Sequence, residues 1–388
     1  MNLRIVLLAA AAFVVGTVEL IVGGILDLIT ADLHISVSAA GQFITVFSIA
    51  FALSAPILMN LTAKVERKTL YLTSLGVFLL SNVMIAFSSS YSLILFARIL
   101  SAMSGAIIIV LSITLAPRLV SSSHKGRALG IIYMGISGSL VLGVPIGMLI
   151  GNTYGWRAPF LLIAGMSALA ILGIAVFLKK SPPAKAIPLR EQLASLRDSK
   201  IVSGQLISFL MLTGHLTLYA YFAPYVQSLF PISPGTLSLV YFLFGIAAVS
   251  GGGLGGWISD HWGTERALIV IVICFAIVMF ILPFAAEISF YVFLVAVMVW
   301  SALSWALSPA QQTYLMQSAP KTADIQLSLN TSVMHLGVAS GSFIGGVVIQ
   351  QSSVANNSWV GGILVLIALG SAIYSLTRRS QRPSTVEE

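Results

Sequence analysis

Hydrophobic runs of about 20 residues or more follow one another along nearly the whole chain, separated by short polar breaks. A hydrocarbon core of ~30 Å needs about 20 apolar residues at ~1.5 Å each, so each run predicts one membrane-crossing helix. The runs fall at roughly 5–29, 38–61, 69–88, 92–116, 127–150 and 157–178, then 201–226, 236–259, 266–285, 289–312, 324–349 and 357–377. That gives twelve spans, six on either side of the longest break. The least secure separation is between spans 9 and 10, around Glu287.

Composition sharpens this reading. Apolar residues make up 58% of the 388-residue chain and charged residues 8%, against roughly 25% charged in a soluble domain. Lipid must therefore be the solvent for much of the surface. A net charge of +8 would suggest nucleic acid in a hydrophilic protein. Here the basic residues sit in the breaks, so they report topology instead and imply no nucleic-acid partner. Taking alternate breaks as cytoplasmic collects Arg4, Lys64, Arg67, Lys68, Arg118, Lys125, Arg127, Lys179, Lys180, Lys185, Arg190, Arg197, Lys200, Arg266, Lys321, Arg378, Arg379 and Arg382 on one side, and leaves Arg157 on the other. Both termini are then expected in the cytoplasm of a bacterial cell, an arrangement that needs an even number of spans. Arg4 followed by Leu7–Val15 has the outline of a signal peptide. The apolar run continues through Ile29, however, so a retained first helix is expected. Cys274 is the single cysteine, which excludes a disulfide framework or a thiolate metal site.

The expected organisation is a six-helix bundle over 1–178, a cytoplasmic linker over 179–200 and a second six-helix bundle with a short tail over 201–388. In the linker, Leu189, Leu193 and Leu196 have helical spacing, which suits a short amphipathic helix on the membrane surface; a plain solvated loop is equally compatible. The halves echo each other. Span 5 carries Gly135, Gly138, Gly143, Gly147 and Gly151, and span 11 carries Gly337, Gly341, Gly345 and Gly346. The breaks after spans 2 and 8 are both polar and basic. Corresponding features in corresponding helices are the mark of a duplicated transporter.

The stretch Gly256-Trp-Ile-Ser-Asp260-His-Trp-Gly263, with Arg266 beyond it, resembles the loop motif G-x-L-x-D-R-x-G of the major facilitator superfamily. The first-half copy is degraded, with Met59 and Ala63 in place of glycine and aspartate and Glu66 at the second glycine, which puts its locking role in doubt. Gly143-Val-Pro145-Ile-Gly147 resembles the glycine/proline motif of the superfamily's twelve-span drug:proton antiporters. Arg98 resembles that group's intramembrane arginine, without the usual Gln-Gly. Span 1 and the stretches Gly214–Pro224 and Trp305–Gln312 are similar to the arabinose-efflux and bacillar purine-efflux groups, although Asp27 departs from their common proline. The resemblance implies an all-α membrane fold of two pseudo-symmetric six-helix bundles around a central cavity. It also implies efflux by alternating access, driven by a proton gradient and without a bound cofactor.

Charges within the spans are few, and each is costly at the bilayer centre. Glu19 lies past the midplane of span 1. Burial disfavours its charged form, whereas water or a cation favours it, so a carboxyl moving between such surroundings can carry a proton. A hydrogen-bonded structural role is the alternative. Asp27, nearer the external end, is the second proton-coupling or gating candidate. Arg98 is placed to pair with Glu19, to contact substrate or to snorkel outward. His215 and Tyr219 stand one turn apart in span 7; Gln326, Asn330 and His335 follow in span 11, and Trp300, Trp305, Gln311 and Gln312 in span 10. Rings beside imidazole and amide groups suit a flat, hydrogen-bonding ligand, though aromatic packing and amide ties between helices account for each residue singly. His215 and His335 lack a nearby carboxylate in sequence, so no metal site is expected. No phosphate-binding loop and no hydrolase or zinc-protease motif is present, which argues against ATP-driven transport or an enzyme.

The sequence thus points to a monomeric, proton-coupled exporter of a small organic solute, with purine bases or nucleosides leading and amphipathic drugs next. The alternatives are a sugar or amino-acid importer of the same superfamily and, from another class, a non-transporting membrane sensor.

Overall fold

The computed structural model describes residues 3–121, 124–183, 192 and 194–378. Among them run twelve helices long and apolar enough to cross a membrane. Spans 1 to 6 are Leu3–Gly24, Val37–Leu61, Arg67–Phe87, Tyr91–Leu119, Lys125–Tyr154 and Ala158–Phe177. Spans 7 to 12 are Ser199–Tyr219, Pro234–Trp262, Thr264–Ile288, Phe290–Ser318, Pro320–Gln351 and Val354–Thr377. Spans 9 and 10 are separate helices, since Ser289 breaks the chain between them and its hydroxyl accepts the Val292 N–H at 3.2 Å.

Two runs expected to be single helices are broken. Span 1 stops at Gly24, and a second helix, Leu26–Leu33, starts after Ile25. Span 7 stops at Tyr219 and resumes as Phe222–Leu229. In the second case Pro224 has no N–H to give the Ala220 carbonyl and its ring crowds that group, which weakens the helix at this turn. In the first, the Gly23-Gly24 pair weakens the helix where the chain turns. The two breaks occupy equivalent places in the two halves. So do the hydroxyl caps of spans 2 and 8, where Ser36 accepts from Ala39 N and Ser233 from Thr236 N, each at 3.1 Å. Of the linker, Leu189 and Leu193 lie outside the described residues. The described part holds one 3-10 turn, Ser195–Arg197.

Glycine decides which helices touch. In the first half Gly135, Gly143 and Gly147 of span 5 face Ala9, Thr17 and Ile21 of span 1. In the second, Gly337, Gly341 and Gly345 of span 11 face the carbonyls of Phe209, Thr213 and Thr217 of span 7. Without a side chain, backbones approach closely enough for dispersion to hold helices together in lipid, where no hydrophobic gain between helices is available. Just ahead of Pro145, span 5 contains one π turn, Ser139–Gly143. The proline leaves the Val141 carbonyl without its usual donor, and the wider turn takes up the mismatch. Between the halves, span 2 packs on span 11 and span 5 on span 8, a pair of contacts that a two-fold exchange of the halves interconverts.

Candidate transport site

A cavity of about 270 Å³ lies between the halves, walled by spans 1, 2 and 5 on one side and 7, 8, 10 and 11 on the other. Its walls are mostly aliphatic and aromatic. The polar groups reaching it come from Glu19, Ser139, His215, Tyr219, Ser304, Ser308 and His335. A mainly apolar hollow with a few converging polar groups is the usual form of a small-molecule site.

Glu19 and His335 meet across the interface. The His335 Nδ1 is 3.3 Å from Glu19 Oε1, but the two are not aligned as a hydrogen bond. The His335 imidazole also stacks on Phe51 of span 2, with ring centroids 4.0 Å apart. A side chain of the second half is therefore gripped by two from the first. Sequence reading placed Glu19 and His335 in different roles; their pairing is a tertiary fact.

Arg98 is not among the cavity walls. It is 1% exposed, and its Nε donates to the Phe43 carbonyl at 3.1 Å while an Nη donates to the Val18 carbonyl at 2.9 Å. Its guanidinium lies over the Phe47 ring at 4.2 Å. It ties spans 1, 2 and 4 together immediately behind Glu19, a bracing position off the cavity wall, with its other Nη lacking a hydrogen-bond partner among the described residues. Each such bond to a charged donor contributes about 1.5–3 kcal/mol.

The second-half wall is aromatic. His215 and Tyr219 line the cavity, and behind them Trp300 packs 5.0 Å from the His215 ring and 5.2 Å from Phe244. Trp300 itself does not reach the hollow, whereas Trp305 does. The His215 Nδ1, the Tyr219 hydroxyl and the Trp300 Nε1 have no hydrogen-bond partner among the described residues. Burying such groups unpaired costs about 1–3 kcal/mol each, a penalty that a ligand with matching polar edges would remove at the two residues lining the hollow.

The amides of spans 10 and 11 tie helices together, one of the two roles open to them in the sequence. Asn330 donates to Gln205 Oε1 at 2.9 Å and to Ser208 Oγ at 2.7 Å, and Gln205 in turn donates to the Gln326 carbonyl at 3.0 Å. Gln311 donates to the Gly204 carbonyl at 2.6 Å. These groups bind span 7 to spans 10 and 11, and Asn330 does not line the hollow. Only the presence of Gln205 and Ser208 opposite, invisible in periodicity, separates the two roles.

Asp27 lies past the break in span 1, where Gln227 donates to it at 3.1 Å. This is one of several bonds joining the halves at the end away from the basic loops. The Tyr241 hydroxyl donates to the Gly23 carbonyl at 3.2 Å, and Ser342 donates to the Gly41 carbonyl at 3.0 Å. Near the same end Arg157, the lone basic residue assigned there, donates to Asp32 at 2.6 Å, and Trp156 donates to it at 3.1 Å. Together the Trp156 and Arg157 donors hold the Asp32 carboxyl below its ordinary range. At the basic end, Gly126, Gly130, Gly252, Gly253 and Gly256 have nothing within 4 Å of where a Cβ would stand.

The two loop motifs differ in state. After span 8, Asp260 and Arg266 are exposed. Gly263 turns the chain at φ +84°, ψ 145°, a conformation open essentially to glycine alone. After span 2, Glu66 caps span 3: its carboxylate accepts from the N–H groups of Lys68 and Thr69 at 2.9 and 2.8 Å and from Ser181 N–H at 2.6 Å. Burial pushes this carboxyl up, but those donors outweigh it and bring it down to about 2. The degraded motif thus fastens its loop to the end of span 6.

A helical bundle of two related halves, closed at one end over a central cavity, defines a membrane transporter rather than an enzyme. The Major Facilitator Superfamily profile matches residues 8–324, and the chain belongs to that superfamily. It is 36% identical over 366 residues to the uncharacterized MFS-type transporter YbcL of Bacillus subtilis, covering 94% of each chain. It is 31% identical over 368 residues to YtbD of the same organism, also described as an uncharacterized MFS-type transporter, covering 93% of this chain and 92% of the relative. A probable sugar efflux transporter of Mannheimia succiniciproducens is 27% identical over 383 residues, covering 99% of this chain and 96% of the relative. The protein is therefore a multi-pass membrane transporter of this superfamily.

Proposed function

We propose that the protein exports a small, ring-bearing organic solute from the cytoplasm by alternating access, in exchange for protons that titrate Glu19. The observation that carries this reading is the placement of Glu19 on the wall of the inter-half cavity, opposite His215 and Tyr219. A carboxyl there is alternately exposed to either side as the halves rock, which is what coupling needs. Together with the basic loops on the cytoplasmic face, the closed external end supports an inward-facing state, ready to load solute from the cell.

A hollow of about 270 Å³ suits a single purine base or nucleoside, whose ring stacks on Trp305 or Phe244 and whose edge meets His215 and Tyr219. A larger amphipathic drug needs more room. A sugar is the second reading, supported by the printed names of relatives such as that of Mannheimia succiniciproducens. In proteoliposomes, an outward pH gradient is expected to drive uphill movement of labelled adenine, adenosine or arabinose in the parent protein. Glu19→Gln is expected to lose uphill movement while retaining downhill exchange. Unchanged uphill transport by Glu19→Gln overturns the coupling role.

A further inference from the structure

His335 reaches across the interface and touches the first half at two points, Glu19 and Phe51. Both contacts belong to side chains, and neither is part of the backbone packing that joins spans 2 and 11 farther along. Phe51 stacks on the imidazole with planes 29° apart, which fixes the ring and leaves Nδ1 facing the carboxylate. The contact with Glu19 is close but not hydrogen-bonded. Its strength therefore depends on charge rather than on a directional bond.

We propose that His335 is the residue through which the proton state of Glu19 acts on the second half. With Glu19 ionised and His335 protonated, the pair draws spans 1 and 11 together and favours the present state, with the basic end apart. Taking a proton from water on the open side leaves Glu19 a neutral acid beside the imidazolium. That change removes the attraction of opposite charges. The other ionisable groups around the pair are few: Arg98 from span 4 behind Val18, and His215 and Tyr219 from span 7 across the hollow. From spans 2, 5, 8 and 10 the wall residues are Ile44, Ile136, Ser139, Leu140, Phe244, Ser304, Trp305 and Ser308, none of which titrates in the working range. Glu19 and His335 are the ionisable pair in contact across the interface, one side chain from each half. The inference rests on the proton-coupling role proposed for Glu19 and adds the partner that makes it felt.

The test needs no substrate. In the full-length protein carrying Cys274→Ala, spin labels at Lys125→Cys and His261→Cys report the separation of the basic ends of spans 5 and 8. In lipid nanodiscs the parent is expected to shift from long to short distances as pH falls. His335→Gln and Glu19→Gln should each flatten that curve or move its midpoint by about one pH unit or more. The exchanged pair, Glu19→His with His335→Glu, should restore it, which guards against damage by either single change. A parent-like curve in His335→Gln, or a parent whose distances ignore pH, overturns the proposal. Uphill transport separates it from the broader reading. If Glu19→Gln abolishes pH-driven transport while His335→Gln leaves it intact, Glu19 couples alone and the pair is incidental.

Discussion

Gly143→Ala places one methyl group where span 5 crosses span 1. A Cβ there stands 3.1 Å from both the Cβ and Cγ2 of Thr17, and closer still to its hydroxyl oxygen. Ordinary carbon contacts begin near 3.4 Å, so the helices must part by a few tenths of an ångström or Thr17 must turn. Turning costs the bond from the Thr17 hydroxyl to the Phe13 carbonyl, 2.8 Å long and contributing about 1 kcal/mol. Overpacking in a well-filled interior adds about 1–3 kcal/mol. The expected loss of stability is thus about 2–4 kcal/mol, read as a lower Tm of the purified protein in detergent. Gly143→Leu adds three further carbons and is expected to abolish transport while leaving membrane insertion intact. The discriminating measurement is the double variant. Thr17→Ala removes the hydroxyl and Cγ2 but keeps the Cβ, so Thr17→Ala with Gly143→Ala should recover about 1 kcal/mol relative to the sum of the singles. Strict additivity, or a Gly143→Ala protein as stable as the parent, would refute this account of the span 1–span 5 contact.

Two further outcomes can be checked directly. Because the Glu66 carboxyl is held down to about 2 from an ordinary 4.5, its contribution is complete above the ordinary value and lost as pH falls through the lower one. The Tm difference between parent and Glu66→Ala should therefore be largest near neutral pH and shrink on acidification; a gap independent of pH removes the loop-fastening role. For orientation, a cysteine at Ser88–Ser90 should react with an impermeant maleimide in intact cells, and one at Ser121 only after permeabilisation. The reverse pattern inverts the assignment of the basic loops to the cytoplasm.

The number of spans and their grouping into halves were legible from the chain, because a helix in lipid must satisfy its backbone internally over a fixed length and that demand is written in run length alone. Glycine spacing identified spans 5 and 11 as contact helices for the same reason, since only missing side chains allow such approach. What run length and hydropathy alone did not show was where a continuous apolar run stops being one helix. Span 1 breaks at Gly24 and span 7 at Tyr219, although hydropathy passes smoothly through both. Nor did residue type separate the roles of polar groups within the spans. Asn330 and His335 lie five positions apart in one helix, yet one ties span 7 to span 11 and the other faces Glu19. Arg98 and Glu19 both read as chemistry, but Arg98 stands off the cavity wall and donates to two carbonyls there. A sequence fixes which polar atoms must be satisfied; which partner satisfies them is decided only when helices distant in the chain are packed side by side.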